Sequence, residues 1–269
     1  MIKGRVLIIA GSDSGGGAGI QGDIKTVTAL GGYASTAITA LTAQNTLGVF
    51  GIHEVPEDFI VQQIKVVLED IGADAIKTGM LHKASVIEAV AEALTPYPDI
   101  PLILDPVMMA KGGTVLLEPA AVATLKAKLI PRALLITPNI PEAELLSGGI
   151  IKTVDDMRSA GEYLLALGSQ AVLMKGGHLE GETVTDILIE RGAGKSRITQ
   201  LTSPRIHTRH THGTGCTLAS AIATGIAQGM DLEESATRAH VYVQRAILTA
   251  LGLGFGHGPL NHGHTMKTP

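Results

Sequence analysis

The chain has 269 residues, 45% of them hydrophobic and 17% charged, with a net charge of −4, a balance that predicts a large buried core. Three Phe, four Tyr, no Trp and no basic stripe argue against a nucleic-acid partner, which needs neutralised phosphates and stacking platforms. No apolar run reaches the ~20 residues of a membrane span, and the single cysteine forms no intrachain disulfide, so the cytosol is the simplest compartment.

In chain order, the first element is VLIIA, behind a positive start, MIKGR. Its apolar run of about six residues is shorter than a secretory h-region and leads into GSDSGGG rather than a cleavage site, so it reads as a buried strand. Short β-branched apolar runs then alternate with amphipathic ones. Strands are predicted over 5–10, 33–41, 73–77, 101–105, 133–137, 171–175 and 184–190. Helices are predicted over 19–30, 57–71, 84–94, 118–128, 141–147 and 154–167, and two consecutive ones close the pattern, 216–228 and 232–251. Asp231 with Glu234 suits the cap of the last helix. Continuously apolar strands imply a mostly parallel sheet covered on both faces, an α/β/α fold. Nothing in the composition divides residues 1–269, so one domain is expected. In such a sheet ligands bind beyond the carboxyl ends of the strands. Those ends are Gly11, Lys77-Thr78-Gly79-Met80, Asp105-Pro106, Thr137-Pro138-Asn139 and Lys175-Gly176-Gly177.

Two near-matches to nucleotide motifs fail their context. Gly17–Gly22 fits GxGxxG, but residues intervene after the strand and no carboxylate ends the second strand. Gly192-Ala-Gly194-Lys195-Ser196 resembles a Walker A end, yet Ile189 stands where the first glycine belongs; a polar hairpin turn fits better.

Four stretches carry chemistry. Thr211-His212-Gly213-Thr214-Gly215-Cys216 precedes an apolar helix, so its amides and the helix dipole suit an anion. Cys216 there is expected to be more acidic than a free thiol, or else a small packed residue. Asn139 and Glu142, three apart around Pro141, offer hard oxygen ligands for Mg²⁺, or a helix cap. Asp105 at a strand end suits Mg²⁺ or a turn cap, and Lys175 suits a phosphate or the surface. Asp23 and Gln44 near the glycine-rich start suit hydrogen bonds to a small heterocycle, each being by default a solvated polar residue. The three His of GFGHGPLNHGH have nothing to make them converge on a metal and read as loop.

AGSDSGGGAGIQGDIKT, TALTAQNT, KTGML, DPVMMAKGG, TPNIPEAELL, LMKGGH and THGTGCTLASAIA occur in this order, with a GHGPLNH ending. Together they resemble the hydroxymethylpyrimidine and phosphomethylpyrimidine kinases of thiamin biosynthesis, members of the ribokinase-like superfamily. The resemblance implies a ribokinase-like fold, commonly homodimeric. It implies two ATP-dependent phosphorylations, of 4-amino-5-hydroxymethyl-2-methylpyrimidine and then of its monophosphate, with Mg²⁺ and with an auxiliary monovalent cation left open. It places Gln44 at pyrimidine recognition, with Asp23, Met80 and Gly11 as pocket partners. Asn139 and Glu142 match the magnesium-phosphate motif, with Asp105 on the same side. Lys175 matches the nucleotide-phosphate lysine, and Gly213, Thr214 and Gly215 the anion hole. Cys216 stands where sugar kinases carry a catalytic Asp. Pyridoxal kinase is the near alternative. Cysteine-dependent acyl transfer, with His212 as base, and a non-catalytic pyrimidine- or nucleotide-binding module are the distant ones.

Overall fold

The computed structural model describes residues 3–110 and 113–266; Lys111 and Gly112 of the DPVMMAKGG motif lie outside the described residues. Among these residues one sheet of nine strands runs through the molecule in the order β3-β2-β1-β4-β5-β6-β7-β8-β9. Its centre is β1 (Arg5–Asp13), flanked by β2 (Tyr33–Asn45) and β4 (Ala75–Thr78), followed by β5 (Leu102–Leu104), β6 (Leu135–Ile136) and β7 (Ala171–Met174), all parallel. Two antiparallel edges close it: β3 (Gly48–Glu54) on one side, β8 (Thr183–Glu190) with β9 (Arg197–Pro204) on the other.

Alternation along β1 explains the layers. Val6, Ile8 and Ala10 face one core, under α1 (Gly19–Ala29), α7 (Thr214–Ala227) and α8 (Leu232–Leu248). Leu7 and Ile9 face the other, under α2 (Glu57–Asp70), α3 (Ala84–Ala93), α4 (Ala121–Lys128), α5 (Ile140–Ser147) and α6 (Val154–Ala166). Side chains of successive strand residues point to opposite faces, so a wholly apolar strand buries both. The fold is the expected α/β/α arrangement around a mostly parallel sheet.

The differences have local causes. β3 was not expected, because GVFGIHE is interrupted by glycine and half exposed. β9 reads RITQLTSP, too polar for a core strand, and it pairs only at the edge. The polar turn expected around Gly192–Ser196 is the β8–β9 hairpin. β1 runs past Ala10 through a register shift to Asp13, and this carries Gly11, Ser12 and Asp13 out over the sheet's carboxyl edge. The start of α7 lies at Thr214, two residues before the predicted one. Asp231 caps α8, its Oδ1 accepting from the Glu234 amide at 2.8 Å.

Candidate active site

A cavity of about 570 Å³ opens at the carboxyl ends of the parallel strands. Gly11, Gln44 and Met80 line one end; Asp105, Asn139, Glu142 and Lys175 line a wall; Gly213, Thr214, Gly215 and Cys216 lie between them. Residues as far apart in the chain as Gly11 and Cys216 thus meet in the way strand-end placement requires.

The turn into α7 is built from glycine for steric reasons. Gly213 caps the helix at φ +87°, and a Cβ there would overlap the Gly17 carbonyl oxygen. The close approach brings the start of α1 beside the start of α7. The Gly19 amide, the first of α1, donates to the Cys216 sulfur. Two helix N-termini therefore point at one spot, an anion-binding arrangement. Here GAGIQG has its use: Gly17 leaves room for the His212 ring and Gly19 for the Gly11 carbonyl, rather than forming a dinucleotide turn.

The thiol does not behave as its position in the sequence suggested. Burial pushes Cys216 up to about 12; Lys77 pulls it down, and Asp23 and Asp105 push it further up. The expected acidic cysteine is corrected to one held protonated, because burial opposes the thiolate by more than Lys77 and the Gly19 amide favour it.

On the wall, Lys175 Nζ donates to Asp105 Oδ1 at 2.9 Å and lies 3.8 Å from Glu142 Oε2. Thr137 Oγ1 donates to the same Asp105 oxygen at 3.0 Å. Lys175 is not a surface lysine: only 12% of its side chain is exposed. Burial opposes its charge, but Asp105 and Glu142 raise its pKa overall. Burial pushes the Glu142 carboxyl up to about 7, against the pull of Lys175 and with a further push from Asp105. Asn139 and Glu142 form a capping box on α5, each amide donating to the other's side chain at 2.8 and 2.9 Å. The cap reading of this pair is thus the observed one, and it fixes Glu142 toward the cavity. Among the described residues no three His, Cys, Asp or Glu are grouped to hold a metal. Two inward carboxylates nevertheless fit Mg²⁺, which takes one or two such oxygens and otherwise keeps water and phosphate ligands.

Asp23 is a correction of place. It lies under the cavity floor, with no exposed surface, paired to Lys77 Nζ at 2.8 Å and accepting from Ser220 Oγ at 2.7 Å. Burial raises its pKa and Lys77 restrains the rise. A solvated pocket partner is not what the fold makes of it.

Two groups were given no specific role in the sequence reading. Asp13 gathers the glycine-rich loop, its carboxylate accepting from the Gly15, Gly17 and Ala18 amides at 2.8, 3.1 and 2.8 Å. Burial works against its charge, yet His212 and these amides hold its carboxyl below the usual range. His212 Nε2 lies 2.8 Å from Asp13 Oδ2 and 3.4 Å from Gln44 Nε2, so its ring nitrogen is engaged away from Cys216. That pairing gives the acyl-transfer reading no support from this nitrogen. Lys77, wholly buried at the end of β4, is the second. A carboxylate in GSDSGGG and a lysine in an apolar strand were the available signals. Of the C-terminal His, His262 is buried against Thr217 Oγ1 at 3.0 Å, on the first turn of α7. No helix is long and apolar enough to cross a membrane among the described residues.

Comparison with known proteins follows the same lines. A family model described as phosphomethylpyrimidine kinase matches residues 13–261. The chain is 54% identical over 260 residues to the thiamine biosynthesis bifunctional protein ThiED of Geobacter sulfurreducens, covering 97% of this chain and 52% of that one. It therefore spans about half the length of that relative. It is 50% identical to the hydroxymethylpyrimidine/phosphomethylpyrimidine kinase of Bacillus subtilis, covering 96% of this chain and 94% of that one. Among solved structures, an ADP complex of Bacillus subtilis pyridoxal kinase superposes with a TM-score of 0.88 at 37% identity, covering 97% of each chain.

Proposed function

The chain belongs to the phosphomethylpyrimidine kinase family, and on that premise we propose that it phosphorylates 4-amino-5-hydroxymethyl-2-methylpyrimidine, and then the monophosphate, with ATP and Mg²⁺. The observation that carries this reading is the convergence of two helix starts between the Gln44 end of the cavity and the wall bearing Lys175, Asp105 and Glu142. Phosphoryl transfer asks for little covalent chemistry and much charge stabilisation and positioning, and this arrangement is built for both.

In this reading the Gln44 amide pairs with a ring nitrogen and the exocyclic amine, and Met80 and Gly11 flank the ring. The acceptor hydroxymethyl then reaches the start of α7. Amides of Gly213, Thr214 and Gly215 take the oxygens of the transferring group, and Lys175 holds a donor phosphate as a point charge. Asp105 and Glu142 would hold Mg²⁺, with Asn139 fixing Glu142; the ion supplies charge neutralisation on the phosphates. Cys216 sits beside the acceptor oxygen. The acceptor's proton is lost late in a loose transition state, so a protonated thiol is compatible with turnover. When the monophosphate is the acceptor, the attacking oxygen is already ionised and the thiol matters less.

The likeness to a pyridoxal kinase keeps pyridoxal as a competing acceptor. A coupled ADP-release assay run with the pyrimidine alcohol, its monophosphate and pyridoxal in parallel tests the reading. Turnover of the first two is expected. Turnover of pyridoxal alone replaces the reading with the vitamin B6 one, and no ADP from any acceptor overturns it.

A further inference from the structure

Lys77 is fully buried, as is its partner Asp23, and lysine is almost never found so unless paired. A buried ion pair is commonly matched or exceeded in stability by apolar side chains of similar size, so stability alone does not account for it. Its place in the fold does. Asp23 is held at both oxygens, Oδ2 by Lys77 at 2.8 Å and Oδ1 by Ser220 Oγ at 2.7 Å. Ser220 lies four residues beyond Cys216 on α7, hence on the same helix face. The cysteine-bearing turn is thereby tied through Asp23 to a lysine on the cavity floor. Gly79, two residues on along the same strand direction, leaves the ammonium its space: a Cβ there would stand 3.0 Å from Lys77 Nζ.

We propose that Lys77 is a positioning residue for the transfer step, its ammonium aimed by Asp23 and Ser220 so that fixed positive charge underlies Cys216 and the anion site. This rests on the kinase reading above. The Lys77–Asp23 pair is neutral as a whole but acts as a dipole with its positive end toward the thiol: Lys77 lowers the Cys216 pKa by more than Asp23 raises it. Asp105, the other carboxylate facing this region, is bonded to Lys175 instead.

The test uses the fact that the chain has one cysteine. The double variant K77M/D23L replaces the pair with apolar side chains and leaves no unpaired charge. Its iodoacetamide rate constant at pH 8, without substrate, is expected to fall by about ten-fold, the effect of one pK unit on a thiolate fraction. Its kcat is expected to fall by at least about ten-fold with both KM values within about three-fold, as for the loss of charge stabilisation made in the transition state. Alkylation within about three-fold of the parent rate overturns the proposal even if the kinase reading stands, as does an unchanged kcat. Alkylation needs no substrate, so it separates the two failures. If circular dichroism shows that K77M/D23L does not fold, S220A decides: slower alkylation supports the aimed lysine, and an unchanged rate overturns it.

Discussion

Gly215 offers a substitution in which activity should fall while stability barely changes. It is the second residue of α7, not among the residues with positive φ, and its missing Cβ would stand 3.1 Å from Lys175 Nζ and 3.7 Å from Asp105 Oδ2. Alanine favours a helix over glycine by up to about 1 kcal/mol, which offsets most of the ion-pair loss worked out next, so Gly215→Ala should leave the melting temperature within about 3 °C of the parent. The new methyl must be relieved by Lys175, whose ammonium is the far end of a flexible chain. A retreat of roughly 1 Å restores ordinary van der Waals distance. Starting from the 2.9 Å contact with Asp105, that retreat weakens the attraction by about 1.5 kcal/mol at an effective dielectric near 20. The corresponding loss in kcat/KM for ATP is about ten-fold. Thermal unfolding and the coupled ADP-release assay on the same preparation measure both. A kcat/KM within about two-fold of the parent, or a melting temperature lowered by more than about 8 °C, would refute the reasoning that the glycine is there to seat the lysine.

Cys216→Ala should keep at least about a hundredth of the first-step kcat and most of the second-step kcat, because a thiol held near 12 is a poor base; losses above about 10⁴ in both steps would contradict this. Gln44→Ala should raise KM for the pyrimidine alcohol by roughly 10–100-fold, the worth of two lost hydrogen bonds, and an unchanged KM would remove Gln44 from recognition. His262 should make the fold acid-sensitive. Burial first, then Lys25, His264 and His212, lower its pKa from 6.5 to about 4. Between those values only the unfolded chain binds the proton, so this stability is complete above pH 6.5 and lost as pH falls toward 4. Urea unfolding should show about 2 kcal/mol lost through this group between pH 7.5 and 5. H262Q should flatten that slope, and a slope equal to the parent's would assign it to other groups.

The apolar strands were legible because a strand buried on both faces leaves no polar interruption: Val6–Ile9 is apolar throughout and fully buried. Edge strands do not announce themselves this way, and β3 carries Phe50 outward at 72% exposure. The strand-end residues were legible as a set because topology alone sends them to one rim. What each does there was not, because it depends on partners remote in sequence. Asp23 and Lys77 are 54 residues apart, and Asp13 and His212 are 199 apart. A lone Asp after an apolar strand reads as solvated until the strand opposite it is known. Local caps were legible, as with Asp231 and the Asn139–Glu142 box, because both partners lie within one turn.

The protonated thiol acquires a reason from the charges around it. Lys77 and Lys175 face Asp23, Asp105 and Glu142 beneath and beside the two helix starts, and burial raises the Glu142 carboxyl. A carboxylate at position 216, as sugar kinases carry, would add a further negative charge at the point where, on the proposed reading, two helix starts receive phosphate. A neutral alcohol acceptor tolerates that, since only one anion, the nucleotide, has to enter. On the reading proposed here the second acceptor is itself a phosphate, so two anions must meet at the start of α7. Like charges at close range in a poorly solvated cavity repel strongly. A side chain that stays neutral in the resting site, yet has a proton-bearing atom beside the acceptor, meets both demands. The cysteine is then matched less to the strength of a base than to the charge of the second substrate.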